Sequence, residues 1–162
     1  MSMYFIGIDI SKYKHDCCII SAANQKVVSK VIIKNNKAGF NELLTIIHSL
    51  ANPADIRIGF ESTAHYALNL ELFLENSLLT FMEVNPVLIS EYKKSKTLRR
   101  TKTDSVDCES IARWLMTVEY KPHSKGFYHA YSLKSLTRLR DKLIRQRSFY
   151  LVKICLLYTS PS

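Results

Sequence analysis

Two carboxylates stand inside apolar runs, where acids are rare. Asp9 lies in Tyr4-Phe5-Ile6-Gly7-Ile8-Asp9-Ile10, and Glu61 follows Ile56-Arg57-Ile58-Gly59-Phe60. Acids are depleted in strands, and burying one is costly unless it is paired or bound to metal. Each is preceded two residues earlier by a glycine. Strand side chains alternate, so each glycine shares its acid's face and leaves an open approach beside it. Parallel pairing of the two runs would bring the acids together at their C-terminal ends. A second pair, Asp104 and Asp107 in Thr103-Asp104-Ser105-Val106-Asp107, falls at i, i+3 on one face of a helical first turn. A plainer reading exists for each pair: a helix cap for Asp104 and Asp107, a hydrogen-bonded strand-end acid for Asp9. Caps explain the four together less easily. Hard carboxylate oxygens suit Mg²⁺ or Mn²⁺, and two such ions about 3.5–4 Å apart can activate an attacking oxygen and stabilise a leaving one. That chemistry is phosphodiester hydrolysis or transesterification. The five histidines are scattered, and none belongs to the set by spacing.

The charge supports a polyanionic partner. The 162 residues carry a formal charge of +9, but residues 1–92 hold 7 bases against 9 acids while residues 93–162 hold 16 against 5. Six bases fall within ten residues, Lys93, Lys94, Lys96, Arg99, Arg100 and Lys102, with no acid among them. Such a block can neutralise phosphates and makes affinity salt-dependent. Alone it would read as a solvated loop. Its place directly before the Asp104–Asp107 pair argues for nucleic acid.

Elements must position these groups. Apolar β-branched runs predict strands at 4–10, 17–21, 27–33, 56–60 and 79–84, with 12–16 a polar turn and Ala-Asn-Gln a hairpin connection. Helical spacing predicts helices over 38–50, with Phe40, Leu43, Leu44, Ile47 and Leu50 inward, and from Ser62 or Thr63 to about 74, with Leu68, Leu72 and Phe73 inward. A short helix opens at Asn85-Pro86, the basic block follows as a loop, and another helix runs from 103 or 104 to about 118. The order suggests an α/β fold, a mixed sheet covered by helices. A long basic helix from 132 to about 154 follows, with Leu136, Leu139, Leu143, Gln146 and Tyr150 at coiled-coil spacing, although a packing helix fits nearly as well.

Composition narrows the classes. The length fits one domain with an added piece, and 47% hydrophobic residues exclude a disordered tail. No apolar run reaches the roughly 18 residues of a membrane span, and no secretory leader is recognisable. Cys17, Cys18, Cys108 and Cys155 form no C-x-x-C pair, so neither a disulfide framework nor a zinc knuckle is expected, and a cytoplasmic location is the default.

Gly7-Ile8-Asp9-Ile10-Ser11-Lys12, then Phe60-Glu61-Ser62-Thr63, then Arg100-Thr101-Lys102-Thr103-Asp104-Ser105-Val106-Asp107 with Ile111-Ala112, resemble the DEDD-type insertion-sequence transposases. This is the Piv/MooV-related family, and the resemblance covers about residues 3–154. It implies a RuvC-like, ribonuclease H-like domain over 1–125 with Asp9, Glu61, Asp104 and Asp107 as the divalent-metal site of a DNA recombinase. It also implies a coiled-coil segment beginning over 130–155, homo-oligomerisation through it and, in part of the family, a structured guide RNA. Family members further carry a C-terminal domain with a nucleophilic serine. No such domain is recognisable in this sequence, so a truncated piece is expected, and neither Ser62 nor Ser105 takes that role. Residues 156–162 have no recognised counterpart and are expected to form a tail of separate origin.

Two other classes stay open. A non-catalytic nucleic-acid-binding fragment would use the bases of 93–102 and be indifferent to Asp9. Actin-like ATPases and sugar kinases share the fold and a Gly-Ile-Asp strand, but need glycine-rich phosphate turns, and the chain has only Gly7, Gly39, Gly59 and Gly126. The nuclease-like reading requires Asp104 and Asp107 to come close to Asp9 and Glu61.

Overall fold

The computed structural model describes the backbone of residues 3–61, 66–96, 104–123 and 127–159, and their side chains apart from 96, 104–106, 127–135 and 159. The chain divides into two units, Met1–His123 and Ser124–Ser162.

The first unit holds a five-stranded sheet. In chain order its elements are β1 (Tyr4–Ile10), β2 (Lys14–Ser21), β3 (Val27–Lys34), α1 (Lys37–Leu50), β4 (Ile56–Glu61), α2 (Leu68–Asn76), β5 (Phe81–Val84), α3 (Pro86–Lys96) and α4 (Asp104–Leu115). The strand order is β3-β2-β1-β4-β5. The first three strands run antiparallel as a meander, while β1–β4 and β4–β5 are parallel. The α/β mixed sheet read from the sequence is therefore present. The β2–β3 hairpin closes through Gln25, whose φ of 56° is left-handed and whose N–H donates to the Ser21 carbonyl at 2.9 Å.

One face of the sheet packs on α1. Asn36 caps this helix, its side chain accepting from the Gly39 N–H at 3.0 Å, and Phe40, Leu43 and Ile47 are buried. The other face carries α4. Gly7 and Gly59 are direct partners in the β1–β4 register, and both lie under α4. A Cβ on Gly7 would stand 2.1 Å from the Cys108 carbonyl oxygen and 2.4 Å from the Ala112 nitrogen; one on Gly59 would stand 2.7 Å from a Leu115 methyl. The open approach expected beside each acid is thus filled by a helix. Missing side chains here let helix backbone descend onto strand backbone. Around this seat Cys18 and Ile20 pack with Cys108 and Ala112, and the single tryptophan, Trp114, joins Val84, Ile89, Ile111 and Leu115. At the far side Glu109 of α4 binds Lys30 of β3 at 2.7 Å and Arg113 at 2.9 Å.

Some boundaries differ from expectation. The strand β2 begins at Lys14, absorbing most of the supposed turn, because His15 and Asp16 pair with Ile10 and Asp9. Leu70 and Leu74 of α2 are buried, following Ala67, and Phe73 packs on Phe40 as expected, while Leu72 is exposed. Residues 62–65, where the helix was expected to start, lie outside the described residues; the observed phase begins later, at Leu68. The first bases of the supposed loop are helical, since α3 continues through Lys96.

The second unit contains α5 (Phe127–Thr159), longer at both ends than the expected 132–154. The helix includes Leu156–Thr159 of the expected tail. Leu136, Leu139, Leu143 and Tyr150 are exposed along it. Among the described residues no helix is long and apolar enough to cross a membrane.

Two variants test the seating of α4. Gly7→Ala forces a methyl against helix backbone and should cost about 3 kcal/mol or more, the upper range for overpacking. Gly59→Ala meets only the movable end of Leu115 and should cost less, about 1–2 kcal/mol. Urea unfolding of both variants checks the order; equal, small losses would contradict the contact. The hydrogen bond from Lys30 holds the Glu109 carboxyl below the ordinary glutamate range, assisted by Arg113. Its stabilisation is therefore full above the unfolded-state value and is lost as pH falls through the lowered one. Both partners are partly exposed, so the expected worth is about 1 kcal/mol or less. In Glu109→Gln that increment should vanish at neutral pH, and the acid-side decline should flatten.

Candidate metal and nucleic-acid site

Strand register sets the first two acids. The parallel pairing of β1 and β4 runs to Ile8 and Phe60, so Asp9 and Glu61 occupy the next position on neighbouring strands, at the C-terminal edge of the sheet. Both are half-buried, and both share the face of Gly7 and Gly59 onto which α4 is seated. Asp104 opens that helix and Asp107 lies one turn in. The Asp104 side chain lies outside the described residues.

Electrostatics link three of the groups. Burial pushes the Glu61 carboxyl above the usual glutamate range; the Lys93 ammonium pulls it down and the Asp107 carboxylate pushes it up. Lys93 Nζ lies 2.7 Å from Asp107 Oδ1. Glu61, Asp107 and Lys93, from β4, α4 and α3, therefore converge on one end of the sheet, with Asp9 beside Glu61. Lys93 is engaged with a carboxylate, a role its place in a basic block did not suggest. Lys94 is exposed on α3, Lys96 closes that helix, and Arg99, Arg100 and Lys102 lie outside the described residues.

One acid escaped sequence reasoning. Asp16 is the direct partner of Asp9 across β1–β2, nearly buried on the same face, with Lys14 Nζ at 3.4 Å. The signal was present in the alternation Lys14, Asp16, Cys18, Ile20, but it was hidden by reading 12–16 as a turn. The oxygen-only donors Asp9, Glu61 and Asp107 suit a hard divalent cation. Among the described residues, no group of three or more His, Cys, Asp or Glu side chains is close enough to hold a metal ion.

Comparison with known proteins identifies the family and the fold. The sequence model of the DEDD transposases of the IS110 type, described as transposase, matches residues 6–155. Two pilin gene-inverting proteins, from Moraxella bovis and Moraxella lacunata, are each 33% identical over 115 residues, covering 70% of this chain and 34% of the relative. The chain thus spans about a third of the length of the curated relatives it matches. Among solved structures, RuvC from Thermus thermophilus, determined alone and in complex with a Holliday junction substrate, superposes with a TM-score of 0.52 at 11% identity. The match covers 75% of this chain and 99–100% of RuvC, and establishes a RuvC-like, ribonuclease H-like fold. With its family model matched from residue 6 to residue 155, this chain belongs to the IS110-type DEDD transposases.

Proposed function

We propose that the chain is the N-terminal domain of a DNA transposase or site-specific recombinase, and that Asp9, Glu61, Asp104 and Asp107 hold Mg²⁺ or Mn²⁺ for strand cleavage and exchange in insertion-sequence transposition. The observation that carries the reading is the convergence of Glu61 and Asp107 beside Asp9 at one sheet edge. Burial and the Asp107 carboxylate both disfavour the charged form of Glu61, as expected of a site completed by a cation. When bound, divalent ions supply activation of the attacking oxygen and stabilisation of the leaving one. The chain's own residues do the rest. Asp9 and Glu61, fixed by parallel strands, and Asp107, fixed by the helix seated on Gly7, define where a scissile phosphate would lie. Bases of the 93–102 block would hold flanking phosphates, with Lys93 free to exchange its carboxylate partner for a phosphate oxygen once a metal neutralises Asp107.

Support for a DNA substrate comes from the relatives, one group named for inverting a pilin gene and one structure bound to a Holliday junction. A structured guide RNA and homo-oligomerisation through the exposed leucine seam of α5 complete the proposal, within a cytoplasmic location. The second reading, a binding fragment that does not cut, is favoured by one observation: Asp107 is already satisfied by Lys93.

The experiment is a melting titration combined with cleavage of a branched DNA substrate. Mg²⁺ or Mn²⁺ at 100-fold over Kd should stabilise the protein by about 2.7 kcal/mol, a rise of about 2–4 °C per kcal/mol. Because the Glu61 carboxyl sits above its ordinary value, its deprotonated form is disfavoured in the folded state. Its destabilisation is full above the raised value and is relieved as pH falls below it. Glu61→Gln should therefore melt at or above wild type without metal, yet lose the metal-induced rise, and that rise should grow with pH. Asp9→Asn should abolish cleavage while leaving DNA affinity within about threefold at matched salt, where phosphate contacts dominate. Cleavage surviving in Asp9→Asn would end the metal-site assignment; metal-independent melting together with no cleavage would favour the binding fragment.

A further inference from the structure

Beyond the acids, the same face of the sheet continues into a strip that nothing above employs. The helix α4 packs on β1, β2 and β4 and reaches β3 through the Lys30–Glu109 ion pair. Past that contact Ile32 is 60% exposed and Lys34 is exposed. Lys34 is the direct cross-strand partner of Lys14, and Ile32 that of Asp16, which in turn faces Asp9. A row of side chains therefore leads from Asp9 through Asp16 and Lys14 to Ile32 and Lys34. Like charges placed directly opposite one another are destabilising. Asp16 offsets the Lys14–Lys34 pair only in part, since it lies 3.4 Å from Lys14 and is nearly buried.

The adjoining turn adds an aromatic group. Tyr13 is 75% exposed, with Lys12 Nζ 4.9 Å from its ring centroid. Its backbone is pinned: the Tyr13 carbonyl accepts from the Asn35 N–H at 2.9 Å, and Asn35 Nδ2 donates to the carbonyls of Lys12 at 3.2 Å and Tyr66 at 3.4 Å. A ring held out in water on a fixed turn, with Lys12 against it and Lys14 next along the chain, combines a stacking platform with phosphate-neutralising charge.

We propose that this strip, Lys14, Lys34 and Ile32 on the sheet face with Tyr13 at the turn, is a binding track for an unpaired stretch of DNA strand leading from the carboxylate edge. The proposal rests on the nuclease-like reading for its choice of ligand. Lys14 and Lys34 take successive phosphates, Ile32 meets sugar and base edges, and Tyr13 stacks on a base. Only a base outside a duplex stack offers its face to that ring, which is why the strand is unpaired.

The test measures binding of a labelled single-stranded oligodeoxynucleotide of about 16 nucleotides, by fluorescence anisotropy across a salt series. The full chain is used, with Asp9→Asn as parent, so that cleavage plays no part and its absence would not touch this result. Lys14→Ala and Lys34→Ala should each weaken binding and reduce the salt slope by about 0.7. Tyr13→Ala should weaken binding about tenfold with the slope unchanged, and Tyr13→Phe should restore it. A duplex of the same sequence should respond to the lysine variants but not to Tyr13→Ala. Unchanged affinity and slope in all three alanine variants would overturn the track. Equal loss on duplex and single strand in Tyr13→Ala would overturn its assignment to an unpaired strand. Melting curves matching the parent confirm that the exposed substitutions leave the fold intact.

Discussion

Everything at the carboxylate edge depends on how closely one helix approaches two strands. Gly7 and Gly59 are neighbours across β1 and β4; the missing side chain of Gly7 admits the backbone of α4 at Cys108 and Ala112, and that of Gly59 makes room for the Leu115 side chain. The helix axis is thereby fixed relative to the strands by main-chain contact, which neither rotamers nor thermal motion of long side chains can loosen. Asp107 is carried on the first turns of that helix, next to the Cys108 carbonyl that meets Gly7, so its position relative to Glu61 follows from that seating together with its ion pair to Lys93. Ion pairs at the rim, Glu109 with Lys30 and Asp107 with Lys93, join α4 to β3 and α3.

Much of this was legible from residue types. Periodicity located the five strands and the inward stripe of α1, because those segments bury one face against one partner. The glycine two before each acid was also readable, but its purpose was not: alternation tells which face a gap opens on, and only the tertiary structure tells what fills it. Asp16 was missed because Lys14-His15-Asp16 is polar, and a polar triplet after a strand reads as a turn until the antiparallel partner Asp9-Ile10 is known. The inward stripe of α2 was legible only in part: Phe73 packs on Phe40, whereas Leu72 is exposed and Leu70 and Leu74 are buried. Lys93 shows the limit of charge counting. A run of bases shows that Lys93 is cationic but not that it stands 2.7 Å from Asp107, a contact only the tertiary structure gives.

The acids divide into two electrostatic situations. Glu109 has cations on two sides and ionises more readily than usual; Glu61 is half-buried beside another carboxylate and ionises less readily. The first is an arrangement for holding a helix in place. The second leaves a carboxyl at the sheet edge whose charged form burial and Asp107 disfavour and Lys93 offsets in part. Lys14 and Lys34, opposite one another on β2 and β3, carry positive charge on the same face, so a negative patch adjoins a positive one.

The packing of α4 also gives the molecule an internal reporter. Its sole indole, Trp114, sits on the helix whose descent onto the two glycines builds the carboxylate edge, among Val84, Ile89, Ile111 and Leu115. Emission colour and quenching of that one fluorophore therefore register whether the helix is docked or lifted, without any label.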